Sequence, residues 1–321
     1  MRRKIRLNFE DVWFDDYRKS VPMSYFIELL SKIVDVEFSE SPDYLICSCF
    51  GNKAVLSDCC KIFFAGENVI PDFNIYDYGI GFSNIEFGDR YLRAPLYFFY
   101  HDDFVKAINK NNYGLRTKFC NMVVSNSGIA DDQRTKFFHE LSKYKHVDSG
   151  GRYLNNVGGP VKDKYEFQRQ YKFSIAFENS AFPGYVTEKI TQAWAAGTIP
   201  IYWGNPDIEK EFNNNAFINA NGIPIEDVVK KVIEIDQSEE LFERMRRAPI
   251  FNKDNELNVN KYINEEYVLD FFRNIFYQSE PKRVSKFGSS QIYIGRIKER
   301  AKFEYSNLGQ SIIKVKKIIK L

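Results

Sequence analysis

Residues 171–205 read YKFSIAFENSAFPGYVTEKITQAWAAGTIPIYWGN, and this stretch decides the fold. An apolar strand pattern ends in Glu178-Asn179-Ser180. After a glycine turn, a helix opens on Tyr185-Val186-Thr187-Glu188-Lys189 and closes at Gly197. A second strand then ends at Trp203-Gly204. Strand, polar turn, helix and strand form the βαβ unit of nucleotide-binding α/β domains, which place ligands at the carboxyl ends of their strands.

Working outward, the same alternation recurs on both sides. Strands are expected at 4–9, 34–38, 43–49 and 61–65, with a helix at 24–33. Residues 71–96 are rich in Asp, Asn, Gly and Pro and read as long loops with short strands. A second series starts near Lys118: a strand at 119–125, a turn at Asn126-Ser127-Gly128, a helix at 131–144 and a short strand at 146–148. A strand at 216–219 and helices at 226–235, 238–247 and 262–276 follow the central stretch. The pattern predicts two facing α/β halves, 1–113 and 114–277, with a basic tail at 278–321.

The 321 residues carry a formal net charge of +2, which gives no nucleic-acid signature. Residues 285–321 hold a net +7, so residues 1–284 carry −5 and the tail is the part that asks for a partner. Leu308, Ile312, Val315 and Ile319 make one helical stripe beside Lys314, Lys316, Lys317 and Lys320. That pattern suits an anionic membrane surface through 308–321 and equally a solubilising tail. Cys47, Cys49, Cys59, Cys60 and Cys120 lack zinc-site spacing and read as strand-core thiols. With no apolar leader at the N-terminus, a reducing, cytoplasmic setting is expected. The Asp pairs 15-16, 102-103 and 131-132 read as caps and turns, and no metal site is expected.

Chemistry is expected where strands end. Glu188 in a first helical turn is ordinary, but Lys189 there opposes the helix dipole by a few tenths of a kcal/mol. An anion over the helix start would resolve that conflict, and a sugar nucleotide diphosphate is such an anion. Solvation of Lys189 would resolve it as well. Arg134 opens another helix, and its planar fork suits a diphosphate; a solvated salt bridge is the alternative. Glu67 follows an apolar strand and a glycine. It could take a proton from an incoming hydroxyl, or simply cap a turn.

These residues bring a family into view. FENSAFPGYVTEK with AGTIPIYWG, and FAGENVIPDFNIYDYGIGF with DRYLRAPLY, resemble the α-1,3/4-fucosyltransferases of glycosyltransferase family ten, most closely the bacterial Lewis-antigen type, over roughly residues 60–280. The resemblance implies an α/β GT-B fold of two Rossmann-like domains facing across a cleft, the first for acceptor and the second for donor. It also implies GDP-L-fucose as donor, inversion at the fucose anomeric carbon, and O3 of GlcNAc in an N-acetyllactosamine-type glycan as acceptor. Carried over by position, Glu67 matches the general base. Arg134, Asn179, Tyr185, Glu188 and Lys189 match donor-contacting positions, with Arg134 and Lys189 on the diphosphate. Mn²⁺ or Mg²⁺ would at most stimulate. The chain departs from the family at its ends, without the anchor and stem of animal enzymes or the tandem heptads of many bacterial ones. Transfer of another GDP-sugar, or an inactive glycan- or nucleotide-binding protein of this fold, are the competing readings.

Overall fold

The computed structural model describes every residue except 1, 110–113, 115, 126–129, 252–263, 285–287 and 320–321. The chain divides into two units, Met1–Ala94 with Asn264–Leu321, and Pro95–Ile263.

The first unit is built on six strands: β1 (Arg3–Glu10), β2 (Val34–Phe38), β3 (Tyr44–Cys47), β4 (Cys60–Phe64), β5 (Tyr78–Gly81) and β6 (Tyr91–Arg93). Their order is β2-β1-β3-β4-β5-β6, and every pairing is parallel. All six carboxyl ends therefore lie along one edge. β3 and β4 are buried at every position, as expected of central strands covered on both faces. Helix α1 (Val21–Ser31) starts with Pro22 in its first turn and buries Met23, Phe26, Leu29 and Leu30, the spacing of a helix with one apolar face.

The second unit carries α2 (Leu96–Phe99), α3 (His101–Asn109), β7 (Lys118–Met122), α4 (Gln133–Ser142), β8 (Val147–Ser149), α5 (Lys164–Gln168), β9 (Tyr171–Phe177), α6 (Glu188–Ala195), β10 (Ile199–Trp203), β11 (Ile218–Asn219), α7 (Ile225–Gln237) and α8 (Glu239–Arg247). Its strand order is β11-β10-β9-β7-β8, again wholly parallel. Met122, Phe137, Phe173, Ile201, Val232 and Phe242 belong to one buried core.

The chain then returns to the first unit with α9 (Glu265–Phe276), α10 (Ser289–Glu304) and α11 (Asn307–Ile319). Phe272 meets Phe26 of α1 with ring centroids 5.3 Å apart, and Phe276 meets Tyr44 at 4.8 Å. These contacts assign α9 to the first unit, where the sequence reading placed residues 264–277 in the second half. Likewise α2 and α3 belong to the second unit, tied to α6 by the Gln192 amide donating to Asp103 at 2.9 Å. The expected turn at Asn126-Ser127-Gly128 lies outside the described residues.

Much of the basic tail has its partner within its own unit. Lys282 pairs with Asp89, Arg283 lies 3.4 Å from buried Asp77, and Lys298 lies 3.5 Å from Asp58. Farther on, Leu308 and Ile312 of α11 are exposed, while the side chains of Val315, Lys316, Lys317, Ile319 and Lys320 lie outside the described residues. Among the described residues, no helix is long and apolar enough to cross a membrane.

Candidate active site

In the second unit, β9 and β10 end side by side, with the Glu178 N–H donating to the Trp203 carbonyl at 2.8 Å. Gly204 follows with φ of +156°, a conformation that favours glycine. A Cβ there would lie 2.5 Å from Glu178 Cγ. The glycine thus leaves room for the Glu178 side chain, which is fully buried.

That carboxylate gathers three donors. Oε1 accepts from the Thr187 N–H at 2.7 Å. Oε2 accepts from the Thr187 hydroxyl at 2.7 Å and from Lys189 Nζ at 2.9 Å. The Thr187 hydroxyl in turn accepts from Lys189 Nζ at 2.9 Å. Thr187 is the N-cap residue of α6 but makes no cap bond with its own side chain. Glu178 serves the helix start instead, from the neighbouring strand end. It also supplies the compensation for Lys189 that the local sequence lacked.

Lys189 is mostly buried, at 18% side-chain exposure. Burial works against its charge, but Glu178 and Glu188 outweigh this and raise its pKa. The Glu188 carboxyl is penalised by burial too, yet Lys189 and Lys164 hold it below its ordinary value. Lys164, on α5, donates to Gln192 Oε1 at 2.5 Å. Burial pulls its pKa down, Glu188 works against that pull, and Lys189 adds to it. The helix start therefore collects Lys164 and Lys189 against Glu178 and Glu188.

Arg134 lies in the first turn of α4 and points inward, at 1% exposure. Its Nη2 donates to the Phe177 carbonyl at 2.9 Å and to Asn179 Oδ1 at 3.0 Å. Burial lowers its pKa, opposed by Glu178. Tyr185 is buried, and its carbonyl accepts from the Tyr202 hydroxyl at 3.3 Å. The structure thus brings Arg134 to Asn179, and places Tyr185, Glu188 and Lys189 along one turn leading into α6. Glu178 and Lys164 complete the cluster. Sequence reasoning noted Glu178 as part of a strand-end motif but gave it no role, and it passed over Lys164.

Glu67 belongs to the first unit, three residues beyond β4. Trp13 packs against the preceding Gly66 so closely that a Cβ there would meet its ring at 2.7 Å. Glu67 is half-buried, and its carbonyl accepts from the Val69 N–H at 2.7 Å. Among the described residues, no group of three His, Cys, Asp or Glu is placed to hold a metal ion.

Residues 7–100 match the alpha-(1,3)-fucosyltransferase FucT N-terminal domain, and residues 114–251 match the C-terminal domain of glycosyltransferase family 10. The chain is 33% identical over 251 residues to an alpha-(1,3)-fucosyltransferase FucT of Helicobacter pylori, covering 65% of this chain and 52% of that protein. It therefore spans about half the length of that relative. Among solved structures, an alpha1,3-fucosyltransferase with GDP matches with a TM-score of 0.75 at 26% identity, over 88% of this chain and 93% of the other. An alpha1,3-fucosyltransferase with GDP-fucose matches with a TM-score of 0.72 at 25% identity, over 87% and 92% of the two chains. The two parallel sheets are thus those of a GT-B fucosyltransferase. Fold and sequence agree, the two domain matches together spanning most of the chain: it belongs to the fucosyltransferases of glycosyltransferase family 10.

Proposed function

We propose that this protein transfers L-fucose from GDP-L-fucose to O3 of GlcNAc in an N-acetyllactosamine-type glycan, as in Lewis antigen synthesis on a bacterial lipopolysaccharide. The acceptor hydroxyl attacks fucose C1 from the face opposite GDP. Glu67 takes the hydroxyl proton, the C1–O bond breaks, and its electron pair leaves with the diphosphate. The first unit serves the acceptor and the second the donor.

The observation that carries this reading is the start of α6. There the positive end of the helix and Lys189 lie at the carboxyl end of β9 beside Glu178, with Lys164 and Glu188 close by, and the two cations would meet charge on a leaving diphosphate. In this reading Lys189 grips the diphosphate. Buried Arg134 adds its field and holds Asn179. Glu188 accepts from sugar hydroxyls, and Tyr185 shapes the pocket wall. Because these cations supply positive charge at the leaving group, Mn²⁺ or Mg²⁺ is proposed to be stimulatory at most.

The test is a transfer assay with GDP-fucose and N-acetyllactosamine, read by mass spectrometry and linkage analysis, with and without EDTA. An α-1,3-linked product with inverted stereochemistry is expected in both. No transfer under either condition, to this acceptor or a wider glycan panel, would overturn the reading.

A further inference from the structure

A row of aromatic rings runs along the carboxyl edge of the first unit's sheet, and every member belongs to that unit. It begins at Trp13, pressed against Gly66 beside Glu67. Trp13 meets Phe14 with centroids 5.4 Å apart, and Phe14 meets Phe9 at 5.2 Å. Phe9 stacks on Tyr17 at 5.7 Å, and Tyr17 on Phe38 at 4.7 Å with planes 24° apart. Phe9 is the last residue but one of β1 and Phe38 closes β2, and Phe9 also stacks on Phe38 at 5.9 Å, so the rings run from beside the end of β4 to a three-ring cluster at the outer strand. That distance is three strand spacings, about 14 Å, longer than one pyranose ring.

The outer part of the row lines a cavity of about 550 Å³, shared with Asn8, Asp15 and Asp16. Phe38 is 41% exposed there, and Asp15 is exposed at its rim. Rings left open to water mark a binding surface, and the polar groups among them say what kind. The charged groups lining the cavity are Asp15, Asp16 and Arg18, with Arg18 paired to Asp16 at 2.9 Å, and the net of −1 disfavours an anionic lipid surface or a nucleic acid. A sugar ring satisfies both features at once. Its C–H face packs on an aromatic ring, and its equatorial hydroxyls donate to carboxylates and amides.

We propose that this row is a track for a neutral oligosaccharide, holding the part of the acceptor glycan that extends away from the reacting sugar. The proposal rests on the reading of Glu67 as the acid beside the acceptor hydroxyl. It adds that the chain favours a glycan of several repeats over a single disaccharide.

The test uses the full chain and N-acetyllactosamine oligomers of one, two and three repeats. Binding is measured by calorimetry and saturation-transfer NMR without donor, and transfer by initial rates. Affinity should rise about five- to ten-fold from one repeat to three, the contribution of an added stacked ring. Tyr17→Ala and Phe38→Ala should each erase that gain, leaving kcat and the KM for GDP-fucose unchanged on the single repeat. Equal affinity for one and three repeats in the wild-type protein would overturn the track, with no variant needed. Persistence of the gain in a folded double variant would do the same. Length-dependent binding without transfer would keep the track and sink the transferase reading; transfer without length dependence would do the opposite.

Discussion

The Glu178 carboxylate lies 2.9 Å from the Lys189 ammonium, across the gap between a strand end and the helix that follows it. A lysine at a helix start is locally unfavourable, and the pair shows how this one is held. Its charge is fixed by an acid that also holds the N-cap residue Thr187 through its N–H and hydroxyl. Replacing Glu178 with Gln should leave Lys189 charged and largely buried without its counter-ion. We expect a loss of about 2–3 kcal/mol, below the usual range for a fully buried pair because Lys189 keeps some exposure. Thermal unfolding measures it, and an unchanged midpoint would show that the pair adds nothing to stability.

Lys189→Ala should weaken GDP binding by about ten-fold or more, since one charge-assisted contact in a partly dry site is worth over 1 kcal/mol. Calorimetry with GDP reads this directly. Wild-type affinity in the variant would remove Lys189 from the phosphate role.

Glu67→Gln should cut turnover by roughly two orders of magnitude or more while GDP-fucose binding stays intact. A single-turnover assay beside a binding titration separates the two. Near-normal turnover would dismiss Glu67 as the base.

Asp236 gives a sign for acid stability. Its side chain is almost fully buried, with Lys145 at 2.5 Å and Lys172 at 3.1 Å. Burial works against its charge, but these lysines and the Tyr144 hydroxyl hold the carboxyl below its ordinary pKa. A lowered folded pKa means the unfolded chain takes up the proton first as pH falls. The stabilisation is complete above the ordinary carboxylate range and is lost through the lowered value. Asp236→Asn should therefore flatten this part of the acid limb in a plot of stability against pH. An unaltered slope would refute the assignment.

We propose that α11 rests on anionic membrane, with the described Leu308 and Ile312 exposed on it. Deleting 308–321 should abolish flotation with anionic liposomes and leave transfer to a soluble acceptor unchanged. Flotation equal to that of the full chain would discard the idea.

The βαβ stretch was legible because its punctuation is local: an apolar run, a glycine turn, a capped helix start, then Gly197. Helix α2 was not legible, since Leu96, Tyr97, Phe98 and Phe99 are all buried and show no one-sided face to give a period, and in α3 the buried Phe104 and Ala107 are masked by the exposed Val105 and Ile108. α10 was missed for a related reason. Ile292, Tyr293 and Phe303 stay exposed, and polar groups such as Lys298 help fasten the helix to its unit. Within the site, the helix start at Glu188 and Lys189 was readable from spacing, whereas Asn179 and Tyr185 took a role only through the family resemblance. The Glu178–Lys189 contact needs the strand-to-helix reversal, and the ring row draws on residues from Phe9 to Phe38, which meet only once the sheet order is set.

The division of the backbone has a consequence for synthesis. Residues 95–263 are continuous, so this unit can close its core while the rest of the polypeptide is still being made. The other unit cannot, because Phe26 and Tyr44 wait for Phe272 and Phe276, made more than two hundred residues later. Until α9 emerges from the ribosome, the early sheet leaves part of its apolar face uncovered. That interval is when the nascent protein is most in need of a chaperone.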